Sequence, residues 1–187
     1  MGKLILILGG ARSGKSTFAQ GLAGELGGER VLYVATAEAG DEEMRRRIEV
    51  HRRERPAGWV TLEAEWNVGQ AIQEGYGDAR AVLVDCLTVL VSNRLLAFED
   101  AFAPEVEAAV MTEVEELAAC AQIVPGTFIV VSNEVGMGVV PPYPLGRAYR
   151  DLLGKANQVL ARRADEVYLL VAGLPLTLKG EQIRQDL

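Results

Sequence analysis

The stretch Gly9-Gly10-Ala11-Arg12-Ser13-Gly14-Lys15-Ser16 satisfies G-x-x-x-x-G-K-[ST] at every fixed position. It follows an apolar run, Leu4–Leu8, and opens a segment, Ser16–Leu26, that reads as a helix. A strand, a glycine-rich loop and a helix in that order make a phosphate cradle. The glycines let backbone N–H groups curl around a β-phosphate, and the helix N-terminus adds its positive end. Lys15 is placed to reach the β and γ oxygens and the Ser16 hydroxyl to take Mg²⁺, whereas Thr17 faces the helix interior. The motif points to binding of a nucleoside triphosphate and leaves the reaction open.

Working outward, short apolar runs recur between helix-like segments. Leu4–Leu8, Val31–Ala35, Ala81–Val84, Phe128–Val131 and Val167–Val171 are rich in Val, Ile and Leu on both faces, as buried parallel strands are. Glu105–Cys120 places Val106, Val110, Val114 and Leu117 on one helical face with acidic residues opposite, and Leu145–Arg163 aligns Leu145, Tyr149, Leu152, Ala156 and Leu160. This alternation predicts a single α/β domain over 1–187, a mostly parallel sheet with helices on both faces. At the end, Val167–Lys179 contains a Gly173-Leu174-Pro175 turn, which predicts a C-terminal hairpin.

The chain has 187 residues, enough for one substantial core, and a net charge of −7 that argues against nucleic acid as a partner. No apolar run is long enough to span a bilayer, so no membrane insertion is expected, and the start lacks the cleavage features of an export signal. Cys86 and Cys120 have no metal-type spacing and read as reduced cytosolic cysteines. One stretch departs from the acidic balance: six arginines and two glutamates between Arg45 and Arg55 leave it at +4. Such a segment is either a solvated helix face or a site for phosphates.

Three further residues bear on chemistry. Asp85 ends the Ala81–Val84 strand, where a carboxylate can hold Mg²⁺ through its waters; capping the helix that follows is the alternative, and the two are compatible. Glu134, after Phe128–Ser132, either polarises a hydroxyl or water or is a plain turn residue. His51 is the single histidine. It sits in Asp41–Arg55, where acids at the start and Pro56 at the end predict a helix. On that helix Arg47, His51 and Arg55 stack one turn apart, an arrangement that keeps the imidazole neutral and holds phosphate oxygens.

Taken together, GGARSGKS (9–16), HRRERPAGW (51–59), DCLT (85–88), SNEVGMGVVP (132–141) and ADEVYLLVAGLP (164–175) resemble the bifunctional adenosylcobinamide kinase / adenosylcobinamide-phosphate guanylyltransferase family. The blocks run in family order over nearly the whole chain. The resemblance implies a RecA-like P-loop fold and a cytoplasmic homo-oligomer, a trimer. It implies that the partners are adenosylcobinamide and its phosphate, with GTP and ATP as nucleotide substrates and Mg²⁺ as cofactor. Two reactions follow from it: phosphorylation of the aminopropanol hydroxyl, then GMP transfer from GTP through a GMP–histidine intermediate on His51. By the same resemblance Gly9–Ser16, Val34, Ala35, Thr36, Arg52, Arg53, Glu54, Arg55, Glu63 and Asp85 contact nucleotide. Because phosphoryl and guanylyl transfer need access to different phosphates, the Asp41–Arg55 helix is expected to change position on nucleotide binding.

Leu90 stands where the family often carries tryptophan, Ala64-Glu65 where an acidic–proline pair is usual, and Pro142-Tyr143-Pro144 where the turn is usually polar. None removes a reacting group; the last bears on the corrinoid-facing surface. From the residues alone, a P-loop small-molecule kinase in which His51 only contacts phosphate, and a nucleotide-switched binding protein, remain alternatives.

Overall fold

The computed structural model of the chain describes residues 2–37 and 55–181. In chain order the elements are β1 (Lys3–Gly9), α1 (Lys15–Gly27), β2 (Val31–Ala35), β3 (Val60–Glu63), α2 (Val68–Gly75), β4 (Ala81–Asp85), α3 (Leu87–Leu96), α4 (Pro104–Ile123), β5 (Thr127–Asn133), α5 (Pro144–Arg163), β6 (Glu166–Val171) and β7 (Leu174–Lys179). The seven strands form one sheet in the order β3-β2-β4-β5-β1-β6-β7. Every neighbouring pair is parallel except β6 and β7. The α/β class, the mostly parallel sheet and the closing hairpin are as the sequence predicts.

The alternation of β1 explains its central position. Leu4, Leu6 and Leu8 point to one face and Ile5 and Ile7 to the other, and all five are buried. The first face carries the larger core, filled by Val68 and Ile72 of α2, Leu87, Val91 and Leu95 of α3, the valines of α4 and Leu153, Ala156 and Leu160 of α5. The second packs Ala19 and Ala23 of α1 and Trp59 over Ile5, Tyr33, Leu83 and Ile129. A strand clothed on both faces gains burial from every side chain, which is why these runs are unbroken in Val, Ile and Leu.

Several expectations need correcting at their edges. The hairpin turns at Ala172-Gly173, with φ of 52° and 84°, and Leu174 and Pro175 already pair with Val171 and Leu170. Paired positive φ values make a tight two-residue connection whose twist suits the flanking strands. Leu145 lies exposed at the start of α5, while Leu152, Ala156 and Leu160 are buried as their spacing predicts. Glu113, one of the acids expected on the outer face of α4, is buried instead. The Asp41–Arg55 helix lies outside the described residues, apart from Arg55.

Candidate functional site

The phosphate loop leaves the C-terminal end of β1 and closes onto α1. Its tight path depends on two left-handed residues, Arg12 at φ 57° and Gly14 at φ 91°. Gly9 has no room for a side chain, because a Cβ there would come within 2.4 Å of Ser13 Oγ. The C-terminal hairpin supports the loop from outside: the Gly173 N–H donates to the Ser13 carbonyl at 2.8 Å. A Cβ on Gly14 would lie 3.0 Å from Gly173 Cα, so the turn and the loop are in direct contact. Lys15 folds back over the loop and its Nζ donates to the Gly10 carbonyl at 3.1 Å. Burial lowers the Lys15 pKa, with Cys86 and Asp85 acting in the opposite direction. An anion entering the loop would therefore stabilise the charged ammonium.

Beside the loop lies a cavity of about 520 Å³, lined by Ala11, Arg12, Lys15 and Ser16 from the cradle and by Asp85, Tyr33, Arg55 and Asn133 from the ends of neighbouring strands. It opens at the C-terminal edge of the sheet, between strands that diverge from the crossover, where ligands bind in open α/β sheets. Asp85 does not cap α3: the N-cap of that helix is Cys86, with no side-chain cap bond. The Asp85 carboxylate instead accepts the Tyr33 hydroxyl at 2.6 Å. Ser16 and Asp85 thus face one cavity, a donor set of one hydroxyl and one carboxylate. That set fits Mg²⁺, which keeps most of its waters and takes few protein oxygens when phosphate supplies the rest. Among the described residues no cluster of three or more His, Cys, Asp or Glu forms a separate metal site.

The remaining expected residues divide. Ala35 lines the cavity, whereas the side chain of Val34 is buried in the core. Thr36 is also fully buried, and its hydroxyl is engaged with Cys86, donating to the carbonyl at 2.8 Å and accepting the N–H at 2.9 Å. Neither side chain reaches the cavity, so of that trio only Ala35 is brought to the site. Glu63 ends β3 in register with Ala35 and does not line the cavity. Arg55 lines it, but His51, Arg52, Arg53 and Glu54 lie outside the described residues. Glu134 takes the turn role, its carboxylate accepting the Gly136 N–H at 2.6 Å.

Sequence reasoning passed over Tyr33 and Asn133. Tyr33 sits in an apolar run and reads as core; its ring is core, but its hydroxyl reaches Asp85. Asn133 is held from both sides of its peptide. Its N–H donates to Thr88 Oγ1 at 2.8 Å, and its carbonyl accepts Asn157 Nδ2 at 3.0 Å. A polar pair at the end of an apolar strand, Ser132-Asn133, was the available signal.

Comparison with known proteins bears on what this site serves. The family model for cobinamide kinase / cobinamide phosphate guanyltransferase matches residues 5–178. The bifunctional adenosylcobalamin biosynthesis protein CobP of Pseudomonas aeruginosa is 47% identical over 178 residues, covering 95% of this chain and 98% of the relative. The corresponding CobU protein of Escherichia coli is 40% identical over 182 residues, covering 94% and 99%. That of Salmonella typhimurium is 41% identical over 182 residues with the same coverage. Among solved structures, a KaiC-like protein of Pyrococcus horikoshii superposes with a TM-score of 0.53 at 16% identity, over 97% of this chain and 81% of that one. The flagellar accessory protein FlaH of Methanocaldococcus jannaschii gives 0.50 at 14%, over 96% and 79%. At that identity these two speak for the fold alone, and the RecA-like expectation stands.

Proposed function

The chain belongs to the cobinamide kinase / cobinamide phosphate guanyltransferase family, and from that premise we propose a bifunctional enzyme that phosphorylates adenosylcobinamide and then guanylylates the product. The observation that carries this reading is the single cavity shared by the phosphate loop, Asp85 and Arg55, in a chain that aligns end to end with bifunctional relatives.

In the first reaction ATP or GTP lies with its phosphates in the Gly9–Ser16 loop. The aminopropanol hydroxyl of the corrinoid attacks the γ-phosphorus, the bond to the β-bridging oxygen breaks, and the nucleoside diphosphate leaves. Lys15 and the loop N–H groups hold the charge that builds on the phosphate oxygens, so the protein contributes positioning and electrostatics. Ser16 and Asp85 would hold Mg²⁺, which when bound offsets charge on the β and γ oxygens.

In the second reaction the His51 imidazole attacks the α-phosphorus of GTP. A P–N bond forms, the bond to pyrophosphate breaks, and pyrophosphate departs. The terminal phosphate oxygen of adenosylcobinamide phosphate then attacks the same phosphorus and the P–N bond breaks, giving adenosylcobinamide-GDP and free histidine. Splitting the transfer avoids holding two polyanions in one reactive pose. Arg52, Arg53 and Arg55 would screen the triphosphate during this exchange, and the family resemblance adds Glu54 and Glu63 as nucleotide contacts. The working unit is a homotrimer in the cytoplasm, and the −7 net charge supports a reading without nucleic-acid partners.

The test is a product analysis. Incubated with adenosylcobinamide, Mg²⁺ and GTP, the protein should yield first the phosphate ester and then adenosylcobinamide-GDP with stoichiometric pyrophosphate, resolved by mass spectrometry. Ester alone would leave a kinase only; no corrinoid product would remove the assignment.

A further inference from the structure

Tyr33 does two jobs on two sides of one ring. It is 2% exposed, with its ring packed among the smaller core that faces α1. A phenylalanine would fill that space equally well. The hydroxyl at its tip, however, crosses from β2 to the end of β4 and donates to Asp85 Oδ2 at 2.6 Å. Such a length is that of a bond to an ionised carboxylate, and it fixes the orientation of the group that faces Ser16 across the cavity.

Arg55 covers the ring. Its guanidinium carbon lies 3.4 Å from the ring centroid, a stacked cation–π contact. Nη1 donates to Thr61 Oγ1 at 3.3 Å, and the enclosed Nε has no hydrogen-bond partner among the described residues. A guanidinium has five donors in a fixed plane. Stacking on Tyr33 holds the group at the cavity, whose lining Arg55 shares with Arg12 and Lys15.

We propose that Tyr33 is the positioning residue of the nucleotide site: its hydroxyl holds Asp85 for the metal, and its ring holds Arg55 for the phosphates. One rigid core residue thereby aligns the two groups of opposite charge between which a metal–triphosphate complex fits. This rests on the reading of Asp85 as the metal carboxylate. A residue that served only the core would tolerate loss of its hydroxyl with no change in metal dependence.

The experiment measures binding of a non-hydrolysable GTP analogue by calorimetry, in saturating Mg²⁺ and in EDTA. Tyr33→Phe keeps the ring and the fold; it should leave the EDTA affinity unchanged and cut the enhancement by Mg²⁺ about tenfold, as loss of one charged hydrogen bond would. Tyr33→Leu should lose that enhancement and also bind the analogue more weakly in EDTA, because Arg55 has no platform; a melting temperature guards against misfolding. Full Mg²⁺ enhancement in Tyr33→Phe, or wild-type EDTA affinity in folded Tyr33→Leu, overturns the proposal. Asp85→Asn separates the two levels of argument. If the wild-type protein shows no enhancement by Mg²⁺, or Asp85→Asn keeps all of it, the metal reading itself fails, whatever Tyr33 does.

Discussion

At the scale of single residues, charge at the cradle decides the outcome. Among the described residues Lys15 is the one ammonium lining the cavity, and burial already lowers its pKa. Removing it takes the ammonium away from the phosphates of either reaction and leaves the loop N–H groups with Arg12 and Arg55 at the cavity wall. Lys15→Ala should therefore lower kinase and guanylyltransferase turnover by about 100-fold or more, the scale of losing one preorganised donor to developing charge. The side chain is partly exposed and its Nζ donates to the Gly10 carbonyl, with no place in the hydrophobic core, so the unfolding midpoint should stay near wild type. Turnover above a few per cent of wild type with normal nucleotide affinity would remove Lys15 from the mechanism. Burial, followed by the neighbouring Asp85 charge, pushes the Cys86 thiol up to about 11, so it stays protonated at neutral pH.

At the scale of elements, Glu113 shows what periodicity cannot reveal. Its position on α4 reads as one more acid on a solvated face, yet it is buried and caps a different helix. Its carboxylate accepts the N–H groups of Asn67 and Val68 at 3.0 and 2.8 Å, satisfying the first turn of α2. Arg94 Nε stands 3.3 Å from the same carboxylate, close enough to balance its charge though not aligned as a hydrogen bond. Glu113→Ala would strand the buried Val68 N–H, the part-buried Asn67 N–H and an arginine, and should cost about 3 kcal/mol, read from urea unfolding. A loss under about 1 kcal/mol would mean that water replaces the carboxylate. The elements legible in the sequence are those buried on two faces, such as β1 and β5. Those missed are β3, whose four residues form an edge with Val60 exposed, and the short helix α2. The cradle was legible because its chemistry is local, eight consecutive residues. Tyr33 and Asn133 were not, because their roles depend on partners 52 and 45 positions away in the chain, Asp85 and Thr88.

At the scale of the whole molecule, the C-terminal hairpin leaves an apolar stripe exposed. On β7, Leu174 and Leu176 lie opposite Val171 and Leu169, and Val171, Leu174, Leu176 and Leu178 are each more than half exposed. This stripe on the edge strand suits burial against a second copy, and its turn touches the phosphate loop through Gly173 and Ser13. Leu176→Glu should convert the proposed trimer to monomer by sedimentation equilibrium without a large loss of protomer stability, because the site is exposed within one chain. An unchanged mass would put the interface elsewhere. Beyond assembly, the central claim is that one chain performs two different transfers, one at the γ-phosphorus and one at the α-phosphorus. The most direct measurement mixes the protein with GTP labelled at the α- or the γ-phosphate and follows label on the denatured chain. The account predicts α-label that survives alkali, is released by mild acid and is absent from His51→Asn, which keeps much of its kinase activity. It predicts no γ-label by this route. Label that persists in His51→Asn, or a wild-type chain that never acquires α-label, would contradict it.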